Sequence, residues 1–501
     1  MSSSTAFSLI VFAGIPLFLL WQVARSRRAL HVFQLEGYKR RRFLAYRAPK
    51  LSRALYLVAP EQKKPLVMTG RATRILVTAL VLQTALLYAG VSIVHAVAGN
   101  PADLAAWAAL TVAVFFATDA LLVAADVALA PVQSRINGRF SAAASRKLAE
   151  IGPLVIGITG SYGKTSTKFA VARLAGSALE VLATPESFNT PLGVCRTINE
   201  QMGPAHRYFV VEMGAYREGD IAELCSFVHP AIGVLTAIGP MHLDRFGSMD
   251  AIRRGKYEIV TSLPEGGTAV MNVDDPEVRA LADRTTGVKV VRYGADPNGR
   301  PHVTAEDVRV TPEGMELAIV DRRSGEGVTV ATRLLGRHAV GHILAGAAVA
   351  LVVGRPLAEL KEPVAALEPV EHRLQLIAGQ GGITVIDDAF NSNPEGAAAA
   401  LEVLERMPGR KKVVVTPGIV ELGELQHRAN RTFGGHASRV ADLLILVAGV
   451  NRDPLLEGAA EGDAEVVTVD SLAEATRALE GRIARGDVVL FENDLPDQYE
   501  G

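Results

Sequence analysis

The chain has 501 residues, enough for two or three domains, and its formal net charge at pH 7 is −1. A charge so close to zero excludes a general electrostatic attraction to nucleic acid, so we expect no nucleic-acid partner. The two cysteines, Cys195 and Cys225, exclude a disulfide framework and lack metal-ligand spacing; we expect both to be small buried residues of a reducing compartment. The mean hydropathy of +0.22 is high for a soluble enzyme, and its cause lies near the N-terminus.

Three apolar stretches precede residue 131: Ala6–Ala24, Ile75–Ala98 and Ala105–Pro131. Each is long enough for a spanning helix, which needs about 20 apolar residues. The first is alternatively a signal peptide, although no basic segment precedes it and its positive charges follow the apolar run. We therefore predict a membrane region over residues 1–145 with about three transmembrane helices.

The segment between the first two spans, residues 25–74, is dense in Lys and Arg. By the positive-inside rule it is a cytoplasmic loop, which places the N-terminus outside and the chain from about residue 132 onward in the cytoplasm. This predicts a multi-pass protein of the inner (cytoplasmic) membrane with a cytoplasmic catalytic domain. The basic loop either binds anionic membrane lipids or only fixes the topology. Asp119 and Asp126, within the third span, either mark a polar face or contact a partner helix.

The stretch from Leu154 to Lys168, LVIGITGSYGKTSTK, predicts a strand that runs into a phosphate-binding loop and a helix. Lys164 is placed to neutralise the terminal phosphates of ATP, and the Thr165 hydroxyl to bind Mg²⁺. The strict G-x-x-x-x-G-K-[ST] pattern has glycine where this chain has Ile158, and the alternative is an ordinary Gly-rich turn. The expected nucleotide-binding residues in this stretch are Gly160, Ser161, Gly163, Lys164, Thr165 and Ser166.

From residue 154 onward, short apolar runs alternate with helical stretches, as in parallel sheets covered on both faces. Residues 295–330 indicate a small group of antiparallel strands. Two later helices are expected over 394–406 and 472–483. A linker near 365–372 separates two halves. We predict an α/β fold with a P-loop central ATPase domain over 146–368 and a Rossmann-like C-terminal domain over 369–501.

Several polar residues follow apolar strands, at the strand ends where open α/β sheets place their ligands. They lie in the segments YFVVEMG, AIGPMHLD, GKYEI, MNVDDP, EHRLQL and IDDAFNSNP. The residues concerned are Glu212, His242, Lys256, Asn272, Arg373, Asp388 and Asn391. Together with GITGSYGKTS, this order over about residues 150–490 resembles the Mur ligases, ATP-dependent amide-bond-forming enzymes of cell-wall synthesis. Within that family it is most similar to the branch that adds D-alanyl-D-alanine.

The resemblance implies a reaction in which a substrate carboxylate attacks the γ-phosphate of ATP, becomes an acyl phosphate and is then attacked by an amine. It implies that Lys256 is carbamylated, which turns a cation into a carboxylate-like ligand of Mg²⁺. Glu421 resembles part of the second-substrate region, and residues 187–194 resemble a substrate-side loop. The plain alternatives are that His242 caps a loop and that Lys256 is solvated on its helix.

The resemblance assigns three overlapping groups of residues. The implied catalytic residues are Lys164, Lys256, His242 and Asp388. The implied metal ligands are Thr165, Glu212, His242 and Lys256. The further implied nucleotide contacts are Asn272, Arg373, Asp388 and Asn391.

Four departures from the family pattern concern the substrates. Membrane helices stand in place of the domain that binds the uridine nucleotide, which favours a lipid-linked carboxylate substrate over a UDP-linked one. The segment GRHAVGH has Ala339 and His342 where the family has asparagines, so the adenine must be contacted differently. Phe390 replaces a tyrosine, and Glu492 and Asn493 stand where a lysine is usual.

Three functional hypotheses follow. The favoured one is a membrane-anchored ATP-dependent ligase that joins a carboxylate to an amine, on a peptidoglycan precursor. The second is a related ligase for another envelope polymer or a poly-amino acid of the poly-γ-glutamate type. The third is an ATP-driven membrane transport or regulatory protein, although three helices are few for a substrate pathway.

Overall fold

A computed structural model describes residues 20–47, 65–98, 100–186, 188–311, 314–390, 392–447 and 449–494. The chain forms two compact units, which divide between Arg139 and Phe140. Each unit is described by itself.

The first unit is helical. Its helices are α1 (20–35), α2 (Arg40–Arg47), α3 (Gly70–Ala98) and α4 (Asn100–Ile151), the last of which continues into the second unit. By length and composition, two segments are long and apolar enough to cross a membrane, Gly70–Gly90 and Ala109–Ile151. The expected first span, Ala6–Ala24, lies almost entirely outside the described residues.

The third apolar stretch, Ala105–Pro131, lies within a longer helix. Helix α4 passes through Pro131 and ends twenty residues later, at Ile151. A proline removes a single backbone donor, and the sequence that follows it is rich in Ala, Arg and Lys, which favour helix. The local cost of the proline is therefore offset by a long helix on both sides of it.

Polar side chains pair inside the first unit. Asp126 is buried and accepts hydrogen bonds from Arg40 at 2.8 Å and from Arg71 at 2.9 Å. Arg25 is also buried, and its Nε donates to the carbonyl oxygen of Phe115 at 2.9 Å. Of the two alternatives for Asp126, the contact with partner helices is the one observed, because both arginines lie on other helices.

The second unit begins with a nine-stranded sheet in the order β2-β3-β1-β4-β5-β6-β7-β8-β9. Strands β1 to β6 are parallel, and β7, β8 and β9 are antiparallel to one another. The antiparallel strands expected near 295–330 are thereby confirmed. The strands are β1 Leu154–Thr159, β2 Val181–Ala183, β3 Tyr208–Glu212, β4 Ile232–Leu235, β5 Thr268–Asn272, β6 Lys289–Tyr293, β7 Val303–Thr311, β8 Gly314–Asp321 and β9 Glu326–Thr332.

Helices cover both faces of this sheet, which explains why its strands are uninterrupted apolar runs. Helices α5 and α11 pack together over one face, where Gly346 lies against the backbone of Ala170. The helices are α5 Lys164–Ala175, α6 Pro191–Gln201, α7 Asp220–Val228, α8 Leu243–Phe246, α9 Met249–Thr261, α10 Pro276–Arg284, α11 Ala339–Val352 and α12 Lys361–Ala365.

A second sheet of six strands follows, in the order β10-β11-β15-β12-β13-β14, parallel except for β10. The strands are β10 Gln375–Ala378, β11 Thr384–Asp388, β12 Lys412–Thr416, β13 Leu443–Val447, β14 Glu465–Val469 and β15 Val488–Glu492. The helices are α13 Pro394–Arg406, α14 Gln426–Val440, α15 Arg452–Ala459 and α16 Leu472–Leu479. Helix α13 matches its expected bounds, whereas α16 ends before residue 483 because Gly481 adopts a left-handed φ of 74°.

Candidate active site

The loop at residues 160–163 joins β1 to α5. Gly160 has a φ of 155°, and a Cβ there would lie 2.0 Å from Thr236 Oγ1, so no side chain fits. Ser161 fixes the loop, because its N–H and hydroxyl donate to two carbonyl groups of the segment after β4, at 2.7 and 3.0 Å. Gly163 is the N-cap of α5, with φ 72°, and has no side chain to occupy the first N–H groups of the helix. Such a turn leaves backbone donors for an anion.

Two cavities flank this loop, each of about 230 Å³. The lining of the first, which we call the cationic cavity, includes Ser161, Gly163, Lys164, Thr165, Glu212, His242, Lys256 and Arg373. The lining of the second, which we call the histidine cavity, includes Gly163, Ser166, Asn272, Leu334, His338, His342, Val370, Arg373, Asp388 and Glu395. Gly163 and Arg373 line both, so the two cavities adjoin at the loop.

Positive charge is concentrated around the cationic cavity. Burial is the main cause that lowers the pKa of Lys164, Lys256 and Arg373, and the mutual repulsion of Lys164 and Lys256 lowers the pKa of Lys256 further. Among the described residues that line this cavity, Glu212 is the one carboxylate. The unbalanced cations therefore favour an anionic ligand with several negative charges.

Glu212 ends strand β3 and is 1 % exposed. Its Oε1 accepts a hydrogen bond from Asn189 at 3.2 Å. Its Oε2 is buried without a hydrogen bond, and Lys168 Nζ lies 3.5 Å away. The buried Thr165 lines the same cavity. A carboxylate oxygen that accepts no hydrogen bond and a hydroxyl that lines the same cavity fit Mg²⁺, which prefers oxygen ligands and retains water.

Lys256 lies on helix α9 and is 2 % exposed, so the alternative of a solvated helix residue is wrong. Its Nζ donates to the carbonyl oxygen of Ala215 at 3.3 Å, and the ring of Phe246 lies 5.6 Å away. Burial lowers the pKa of this amine well below its ordinary value. The lower pKa favours the uncharged, nucleophilic form of the amine that carbamylation requires.

His242 has a left-handed backbone at the start of α8, and its side chain makes no capping hydrogen bond. The His242 side chain therefore does not cap this helix. Instead, Nδ1 of His242 and the guanidinium of Arg245 both contact the carboxylate of Glu421, which belongs to the segment after β12. The ring of Tyr216 lies 4.8 Å from the imidazole. Burial lowers the pKa of His242, although Glu421 opposes this effect.

Asp388 and Arg373 come from the second half of the chain. Asp388 ends strand β11, and its Oδ1 accepts a hydrogen bond from the backbone N–H of Leu374 at 3.1 Å. The Arg373 guanidinium lies 4.7 Å from the ring of Phe390. Both residues line the histidine cavity, so they meet the phosphate loop although they are far from it in sequence. Asn391 lies outside the described residues.

The histidine cavity has neutral and apolar walls near helix α11. His342 Nδ1 lies 3.0 Å from Thr167 Oγ1, and burial lowers the pKa of His342 to about 3. Burial also lowers the pKa of His338 to about 4. Asn272 donates from its amide to the carbonyl oxygen of Thr236 at 2.8 Å. These walls suit a planar, uncharged heterocycle next to the phosphate loop.

The structure thus brings most of the expected residues to the linings of two adjoining cavities, and Gly160 lies in the loop between them. Sequence reasoning missed Tyr162, which lines both cavities, and Lys168, which is fully buried beside Glu212. Lys168 lies four residues after Lys164 on the same helix face, a spacing that could have indicated it.

Comparisons with known proteins agree with this geometry. A family model for the Mur ligase middle domain matches residues 158–350, and one for the Mur ligase glutamate ligase domain matches residues 372–492. The UDP-N-acetylmuramoyl-tripeptide–D-alanyl-D-alanine ligase of Mycobacterium leprae is 34% identical over 385 residues, which are 71% of this chain and 73% of that protein. The enzyme of the same name from Bacillus subtilis is 28% identical over 69% of this chain and 74% of its own length.

Solved structures show the same fold. MurF from Thermotoga maritima in complex with ADP has a TM-score of 0.62 and 27% identity, and the match covers 72% of this chain and 80% of that one. MurF from Acinetobacter baumannii has a TM-score of 0.64 and 24% identity, over 72% of this chain and 77% of that one. The residues matched by the two family models include Lys164, Glu212, Arg373 and Asp388.

Proposed function

The chain belongs to the Mur ligase family, and on that premise we propose that it joins a D-alanyl-D-alanine dipeptide to the carboxylate of a peptidoglycan-precursor peptide, using ATP and Mg²⁺. The observation that carries the proposal is the cationic cavity beside the phosphate loop, which is lined by Lys164, Lys256 and Arg373 and, among the described residues, by a single carboxylate, Glu212. The hypothesis of an ATP-driven transporter is set aside because the matched relatives are ligases.

The residues around the two cavities have different roles according to where they lie. The loop N–H groups and Lys164 hold the terminal phosphates and neutralise the charge that develops when the substrate carboxylate attacks phosphorus and ADP leaves. Arg373 lines both cavities and therefore spans the nucleoside and phosphate ends of ATP. The amine then attacks the acyl phosphate carbonyl, and inorganic phosphate leaves. The protein contributes mainly orientation and charge stabilisation.

Thr165 and Glu212 would hold one Mg²⁺, which would supply positive charge that neutralises the phosphate groups. In the described part of the chain, no three His, Cys, Asp or Glu side chains converge on a common point. A second ion near His242 would therefore require an additional oxygen ligand. Carbamylated Lys256 would supply it, because the modified side chain ends in an anionic carboxylate-like group.

We further propose that the first unit anchors the enzyme in the inner membrane, with the catalytic unit in the cytoplasm. The apolar helices α3 and α4 support this, together with the basic residues of the 25–74 segment. An anchored ligase can act on a precursor that is carried on a lipid as well as on a soluble one. The basic segment would then lie against anionic headgroups.

The test supplies purified full-length protein with ATP, Mg²⁺, UDP-N-acetylmuramoyl-tripeptide and D-alanyl-D-alanine, and measures ADP together with the mass of the product. We expect ADP release and the amide product only when acid and amine are both present. Lys164→Ala should reduce the rate by roughly 10²–10³, the usual effect of removing one group that stabilises charge in the transition state. ADP release that is independent of the amine, or wild-type turnover in Lys164→Ala, would contradict the proposal. Replacing the UDP-linked tripeptide with a lipid-linked one tests which carrier of the tripeptide the enzyme accepts.

A further inference from the structure

Glu492 is a fully buried carboxyl group beside the active site. It ends strand β15, and its parallel neighbour in register is Asp388 at the end of β11. Its exposed fraction is 0 %, and its side chain faces that of Asp388. Two acidic groups therefore meet in a buried place, and one of them, Asp388, lines the histidine cavity.

The hydrogen bonds around Glu492 are unequal. Its Oε1 accepts a hydrogen bond from the Ser392 hydroxyl, whereas its Oε2 is buried and meets no donor among the described residues. Asp388 Oδ1 already accepts from the Leu374 N–H at 3.1 Å. Two carboxylates that face each other without a donor between them repel, whereas a single proton placed between them forms a hydrogen bond.

The same cluster fixes the loop that follows β11. The Ser392 N–H donates to Asn493 Oδ1 at 3.2 Å, and the Asn493 N–H donates to the carbonyl oxygen of Asp388 at 3.1 Å. Ser392 is 6 % exposed and lines the histidine cavity, as Asp388 does. A change at Glu492 would therefore be transmitted to two residues of the nucleotide cavity without any contact between Glu492 and the nucleotide.

The other charged groups near the Glu492–Asp388 pair belong to the segments that neighbour it in the fold. Arg373 stabilises the charged form of Asp388, and Asp387, next to Asp388, pairs with His372 at 2.7 Å. Strand β12, on the other side of β15, has Lys412 as its one titratable residue, at the opposite end, where it pairs with Val488. On helix α13, which packs on β15, the acid nearest the cavity is Glu395.

We infer that Glu492 is a positioning residue that shares one proton with Asp388, and that this shared proton holds Asp388 and the following loop in the geometry that binds nucleotide. The inference rests on the proposed nucleotide site. Burial raises the pKa of Glu492 well above its ordinary value, and the charge of Asp388 raises it further. Burial also raises the pKa of Asp388, against the effect of Arg373.

The sign of the pH dependence follows from these directions. Below the apparent pKa of the pair, one proton is present and the two side chains attract. As the pH rises through that pKa, the second carboxylate forms, the two groups repel, and nucleotide affinity falls. A Gln at position 492 keeps a donor toward Asp388 at every pH, so it should remove this alkaline loss.

The experiment measures the affinity of the full-length protein for ADP with Mg²⁺ between about pH 6 and pH 10, a range that brackets a carboxyl pKa raised well above normal. Glu492→Gln should bind within about twofold of wild type at neutral pH and lose the alkaline fall, and Glu492→Ala should bind on the order of tenfold more weakly at every pH. Glu465→Gln, an exposed glutamate on β14 of the same sheet, is the matched control and should keep the wild-type profile.

Infrared spectroscopy provides a readout that needs no nucleotide. Wild type at neutral pH should show the carbonyl band of a protonated carboxylic acid that disappears at alkaline pH, and this band should be absent from Glu492→Gln but present in Glu465→Gln. Absence of the band in wild type, or an unchanged alkaline fall in Glu492→Gln, would overturn the shared proton. If the wild-type protein binds no ADP, the proposed function is wrong. The infrared result still shows whether Glu492 and Asp388 share a proton. If Glu492→Ala does not fold, the affinity and infrared measurements on Glu492→Gln are sufficient to test the inference.

Discussion

Lys256 shows how burial can set the chemistry of a single side chain. Its amine lies among Ala215, Phe246 and the cationic Lys164, with no carboxylate as a hydrogen-bond partner among the described residues. A protonated lysine there would add to the local repulsion, whereas a carbamate would attract the neighbouring cations and a metal ion. This contrast supports the proposed carbamate.

Replacement of Lys256 tests this directly. We expect Lys256→Ala to lose nearly all ligase activity, and short-chain carboxylates to restore part of it by placing oxygens in the vacated space. Lys361→Ala, which removes an exposed lysine, should change stability by no more than about 0.5 kcal/mol and leave activity unchanged. Rescue by amines and not by acids would reject the carbamate.

The sequence predicted site residues that stand in a motif and missed those that act through a distant partner. Lys164 follows strand β1 and Glu212 ends strand β3, so an apolar run in the sequence points to each of them. The contact of Lys168 with Glu212, however, joins residues 44 positions apart and depends on the pairing of β1 with β3. The Glu492–Asp388 pair likewise appears only when β11 and β15 become neighbours.

At the scale of elements, the phosphate loop depends on close packing against the segment after β4. Gly160→Ala should abolish nucleotide binding, because its Cβ would overlap Thr236 Oγ1 and its backbone would be strained at φ 155°. Isothermal titration with ADP measures the loss. Gly449→Ala, at a position where a Cβ meets nothing within 4 Å, should bind normally. Normal binding by Gly160→Ala would show that the loop tolerates displacement.

Elements with one strong local signal were predicted well, although the ends of some of them were not. The β1–loop–α5 unit and helix α13 follow from apolar runs, glycines and an Asn-Pro start. The continuation of α4 past Pro131 did not follow, because a proline weakens a helix locally while the neighbouring turns decide whether it persists. Strand order is also absent from local pattern, since it depends on contacts between distant segments.

At the scale of the whole molecule, topology is testable by labelling. Because Cys195 and Cys225 are both buried, the wild-type chain should react little with a membrane-impermeant thiol reagent. A cysteine introduced near Pro101 should be labelled from outside intact cells, and one near Arg53 should be labelled only after permeabilisation. The reverse pattern would place the basic loop outside and contradict the proposed orientation.

The concentration of cations at the phosphate loop also affects the stability of the protein when no ligand is bound. Lys164 and Arg373 both lose solvation and repel each other, so the site without a ligand opposes folding. A polyphosphate relieves that repulsion, and any ligand that binds the native state alone raises its stability by mass action. The abundance of the folded enzyme would then depend on the cellular supply of nucleotide, and a starved cell would lose the protein by proteolysis as well as its activity.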